Sequence, residues 1–165
     1  MNEHCFQEQL ERVDRLLEVV AAPDPSGFTG RLRYEDILVF AFQSMWHLKD
    51  WILNDARFGA ADVDLLAREI HSAPCLQVCA DIANASKHLT LTRPKTSAHI
   101  SERSGIDLNT SKGLFRVLYY VESTPGDRYH GVEVRDLLLE CRDAWQQLIA
   151  KHHLSDADNW LNGGT

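Results

Sequence analysis

The sequence predicts a mainly α-helical single domain: an antiparallel up-down bundle of about five helices, with a small antiparallel β insertion before the last helix. Three observations predict it. Long segments repeat apolar residues at steps of three and four, the period of a helix with one buried face. One stretch, about 95–131, abandons that period for weak alternation and a β-branched, aromatic composition. The breaks between the periodic segments are mostly short, as antiparallel neighbours require. The chain has 165 residues, 44% apolar and 25% charged, which is enough material for one core.

The first helix is expected over 4–22, with Phe6, Leu10, Val13, Leu17 and Val20 on one face. Pro23 and the turn-forming PDPSGFTG stop it. Residues 34–55 form the longest expected helix. Tyr34, Ile37, Leu38, Ala41, Met45, Leu48 and Ile52 make one stripe; Phe40, Ser44, His47 and Trp51 make another. A helix apolar on several sides belongs at the centre of a bundle. A shorter helix over 61–71 turns Val63, Leu66 and Ile70 inward. The next is expected over 74–89, with Pro74 in its first turn, where a missing N–H costs nothing. Its inner face carries Cys75, Cys79, Ile82, Ser86 and Leu89.

The β insertion is expected to hold two or three strands, at TSAHISER (96–103), LFRVLYYVE (114–122) and the short RYHG (128–131). SGIDLNTSKG is the long hairpin loop, and STPGD (123–127) a turn. From about 132 the helical period returns, with Val134, Leu137, Leu138, Cys141, Trp145, Leu148 and His152 inward. The tail, about 154–165, reads as a loose end.

Formal net charge is -7, which disfavours DNA or an anionic membrane as a partner of the whole chain. The charge is uneven. Lys87 to Arg128 holds seven Lys/Arg against four acids and is +3, leaving -10 elsewhere. That segment offers either a local basic surface or an ordinary solvated one. No apolar run reaches the length of a membrane span. The N-terminal MNEHCFQEQLERVDRL is charged and unlike a secretion signal, so a cytoplasmic location with reduced thiols is expected. Cys75 and Cys79, four apart, fit buried core positions better than a metal knuckle.

Two polar constellations stand out. On the fourth helix Gln77, Asp81, Asn84 and His88 fall within a stripe of about 60°, and Lys87 flanks it. On the second, HLKDW (47–51) sets His47 and Asp50 three apart. The stripe is either a wet helix face or part of a site. If the two helices are neighbours, His47 and Asp50 can meet the stripe of Asp81, Asn84 and His88 across the pair, satisfying polar groups on both sides.

ANASKH (83–88), late in a helix of a small bundle, resembles the HEPN superfamily, whose active members place an arginine, a polar residue and a histidine on one helix. The chain also resembles uncharacterised bacterial helical-bundle proteins with HLxDW in one helix and NxxKH in another. The superfamily resemblance implies metal-independent endoribonucleases of toxin–antitoxin and other defence systems, acting as homodimers with a composite cleft. Asn84 matches the polar residue and His88 the histidine. Ala83 stands where the arginine would be. Cleavage of RNA needs an acid or base near the 2′-hydroxyl and a cation for the phosphorane charge. His88 can serve as the first, with Asn84 and Lys87 in support; Ala83 cannot serve as the second.

The leading expectation is therefore an RNA- or protein-binding accessory of a defence or toxin–antitoxin system, without cofactor or metal and with little or no catalysis. One alternative is a ribonuclease using His88, Asn84 and Lys87. Another is a metal-binding bundle using His47, Asp50 and His88. The aromatics Phe115, Tyr119, Tyr120, Tyr129 and His130, near Arg116 and Arg128, could stack bases but at alternating spacing read better as sheet core. Phosphate-loop, GxSxG and HExxH patterns are lacking, which disfavours nucleotide hydrolysis, serine hydrolase and zinc peptidase chemistry.

Overall fold

The computed structural model describes residues 6–21, 31–55, 60–86, 96–106 and 115–154. They form α1 (Phe6–Ala21), α2 (Arg31–Leu53), α3 (Ala60–Ser72), α4 (Pro74–Ala85), β1 (His99–Ile106), β2 (Phe115–Glu122) and α5 (Val134–Lys151). The five helices pack together and the strands pair just before the last one, as the periodicity predicts. No helix among the described residues is long and apolar enough to cross a membrane.

α2 is the axis of the bundle and touches α1, α3, α4 and α5. Its composition requires this. Leu38, Ala41, Met45, Leu48 and Ile52 are buried along one stripe, and Phe42 and Trp46 are buried beside it. One layer of neighbours could not cover so many directions at once. α1 lies against α2 through Phe6, Val13 and Val20. Two polar contacts set its register: the Gln9 amide donates to Ser44 O (2.7 Å), and the Tyr34 hydroxyl to Val20 O (2.9 Å).

α5 closes the bundle through Val134, Leu137, Leu138, Cys141 and Trp145. Trp145 is fully buried, and its indole N–H has no acceptor among the described residues. Arg142 of α5 grips Asp14 of α1 with two nitrogens, at 2.5 and 2.9 Å. At the other side of α5, Lys151 and His152 both donate to the Glu69 carboxylate of α3, at 2.8 and 3.0 Å.

β1 and β2 are antiparallel, with Ile100 opposite Val121 and Glu102 opposite Tyr119. Tyr119 and Val121 point inward and are buried, while Tyr120 and Glu122, alternating with them, are half-buried, the pattern of a sheet with one packed face. The Tyr119 ring meets Tyr34 of α2 at 5.5 Å between centroids. The expected hairpin loop is shorter at its start than its composition suggests, because residues 104–106 belong to β1; 107–113 lie outside the described residues.

A third strand at RYHG does not form. Residues 127–131 curl through successive turns, with Asp127 N–H on Thr124 O (2.9 Å) and His130 N–H on Asp127 O (3.1 Å). Gly126 and Gly131 take positive φ, +93° and +77°, where a side chain would be strained. Pairing with β2 survives only briefly, as Gly131 N–H and Val132 O bond to Val121 and Tyr120 bridges to Glu133. Two glycine-assisted reversals in six residues leave no room for an extended run.

Candidate functional site

α4 departs most from its expected geometry. Cys75, Leu76 and the unbroken run Val78–Ala83 are all buried, because α2, α3, α5 and β1 all pack against this one helix. Asp81, expected on a wet face, is inside. Its carboxylate accepts the backbone N–H of Thr96, the residue that leads into β1. The side chain thus answers a backbone donor at a half-buried residue. Ser86, expected on the inner face, is exposed at the C-cap, where its hydroxyl donates to Ala83 O (2.6 Å).

The other predicted positions fall as follows. Asn84 is half-buried in the last turn of α4. Lys87 and His88 lie outside the described residues, so the contacts of the proposed acid/base group are not part of the geometry here. On α2, His47 is half-buried, and Asp50 is exposed with its carboxylate 3.3 Å from Lys49 Nζ. Lys49 in turn lies over the Trp46 ring at 4.8 Å. Trp46 meets His71 of α3 edge-on at 5.8 Å.

What joins α2 to the end of α4 is Gln43, a residue the sequence reading passed over. Its side-chain amide donates to Ser86 Oγ at 2.7 Å. Gln43 lies one helical turn before His47 and shares its face, a four-residue spacing that could have flagged it. The tie sets the α2 face bearing Phe40, Gln43 and His47 beside the C-terminal turn of α4, which bears Asn84 and Ser86. Phe40, on the same face, is 51% exposed.

The thiols are structural. Cys75, Cys79 and Cys141 are free and buried. Cys141 Sγ donates to Cys75 O at 3.4 Å, and Cys79 Sγ to Phe42 O at 3.6 Å. Hydrogen bonding to Cys141 and then burial push the Cys75 thiol far up; burial is the main cause of the rise at Cys141. Such thiols stay protonated and make poor nucleophiles. Among the described residues no three His, Cys, Asp or Glu side chains converge as a metal site would need. The set His47, Asp50 and His88 includes a residue outside that range.

The arginine-flanked aromatics are mostly structural as well. Tyr119 and Tyr129 are buried. The Tyr129 hydroxyl donates to Glu140 Oε1 (2.8 Å), and Arg128 covers its ring at 5.2 Å while donating to the same oxygen (2.7 Å). Arg128 is thereby neutralised rather than offered to a phosphate. Tyr120 is half-buried, and the side chains of Phe115 and Arg116 lie outside the described set.

Comparison with protein-family models, with curated proteins and with solved structures finds no match.

Proposed function

We propose that this chain is a HEPN-like bacterial protein that binds RNA without cleaving it, as a cytoplasmic, homodimeric accessory of a defence or toxin–antitoxin system. The observation that carries the non-catalytic part is the burial of Ala83, which is 1% exposed. In the ribonucleases this chain resembles, the matching position carries the arginine that meets the phosphorane charge. Here it is a small core residue, and α4 has no room at that point for a guanidinium facing substrate. Asp81, two residues earlier on the helix, accepts the Thr96 amide. What supports RNA as the partner is the excess of cations from Lys87 to Asp127, six Lys/Arg against four acids, in a chain of net charge -7.

Incubation of the purified protein with mixed RNA in EDTA tests this reading. The expected outcome is retention of RNA on a filter with no cleavage. Cleavage that disappears in His88→Ala would replace the binding role with the ribonuclease one. Gel filtration checks the dimer, and a strict monomer at high concentration would remove it.

A further inference from the structure

A groove of about 670 Å³ lies between the outer face of α3 and the start of α4, lined by Asp64, Ala67, Arg68, His71, Ser72 and Gln77. That volume is in the range of small-molecule sites. Gln77 belongs to the polar stripe expected on α4, but it meets α3: its amide donates to His71 O at 2.8 Å. The bond anchors the amide and leaves Oε1, which accepts no hydrogen bond among the described residues. Ser72 Oγ donates to Glu69 O (2.9 Å) and keeps its lone pairs. The His71 ring rests edge-on against Trp46 at 5.8 Å.

The charges of the groove decide what fits it. Asp64 and Arg68 are four residues apart on α3, the spacing at which an acid and a base pair on a helix surface. Glu11 and Arg15 of α1, at the same spacing, do approach to 3.7 Å. Asp64 and Arg68 form no ion pair or hydrogen bond, with each other or with any other described residue. A ligand with one charge would answer one of them and leave the other bare, whereas a zwitterion answers both. One turn beyond Arg68, Ser72 Oγ and Gln77 Oε1 are neutral acceptors, and they select a donor.

We propose that this groove binds a free α-amino acid whose side chain ends in N–H donors. Arg68 takes the carboxylate, Asp64 the ammonium, and Gln77 Oε1 with Ser72 Oγ the end of the side chain. The site lies at the opposite end of α4 from Ser86, and it stands or falls separately from the RNA-binding reading.

Isothermal titration calorimetry of the full chain with L-glutamine tests the proposal. L-glutamate replaces the side-chain donor by an acceptor, N-acetyl-L-glutamine removes the ammonium, and L-glutaminamide removes the carboxylate. L-glutamine is expected to bind wild type at millimolar concentration, and each of the other three about tenfold more weakly. Arg68→Gln and Asp64→Asn, both at exposed positions, are each expected to weaken L-glutamine about tenfold. Gln77→Leu is expected to abolish the preference for L-glutamine over L-glutamate. No binding of L-glutamine by wild type overturns the site. Equal affinity for L-glutaminamide or N-acetyl-L-glutamine, or unchanged binding by Arg68→Gln or Asp64→Asn, overturns the zwitterion clamp. A preference kept in Gln77→Leu overturns the assignment of the side-chain end. Thermal melts that match wild type establish that each variant is folded.

Discussion

A single carboxylate shows how a local feature acquires its role. Asp81 lies on a helix whose remaining surface is almost entirely apolar, and it is 3% exposed. Its carboxylate accepts the N–H of Thr96, where the chain turns into β1. The bond ties α4 to the hairpin at its root. Asp81→Ala leaves that N–H without its acceptor and is expected to cost about 1–3 kcal/mol. Asp81→Asn keeps an acceptor oxygen and is expected to cost less. Urea denaturation of the two variants measures the order; an Asp81→Ala protein as stable as wild type would show that Thr96 finds another partner.

Between elements, polar side chains set register where apolar packing alone would permit sliding. Gln9 fixes α1 on α2, Arg142 fixes α5 on α1, and Gln43 fixes α2 on the end of α4. Glu69 fixes α3 to the C-terminal turn of α5. Its carboxyl is held below the ordinary value of 4.5, chiefly because Lys151 donates to it and then because His152 does. A depressed folded-state pKa stabilises the protein above the ordinary value, and that contribution is lost as pH falls through the folded-state value. Glu69→Gln is therefore expected to melt at a lower temperature than wild type at neutral pH, with the gap closing as pH drops below 4.5. Thermal melts from pH 7 to pH 3 check it; a constant gap would mean that the cluster acts through packing and not through charge.

The bundle as a unit keeps its thiols out of reach. Cys75, Cys79 and Cys141 occupy the interior where α4 meets its neighbours, and the pKa of Cys75 and of Cys141 is driven up. Reaction with a disulfide reagent requires the thiolate and access to it. With Cys5 replaced by serine, the native protein is expected to show no rapid labelling and the urea-unfolded protein three equivalents. Rapid labelling of the native form would reveal an opening of the α4 region far below the free energy of global unfolding.

The number and order of the helices, and the place of the hairpin before the last of them, were legible in the sequence, because an apolar stripe has to be buried whatever its neighbours are. So was the central place of α2, since only a helix with partners on several sides can hide so many apolar residues. Of the two or three strands expected, the short one at RYHG does not form, because its residues lost to the two glycine turns around them. On α4, spacing alone grouped Asp81 with Asn84 and His88 as a polar stripe, yet Asp81 went inside and Ser86 outside. Periodicity fixes which residues share a face, but not which faces meet water. That depends on how many elements crowd the helix, and only the packing of α2, α3, α5 and β1 around α4 decided it.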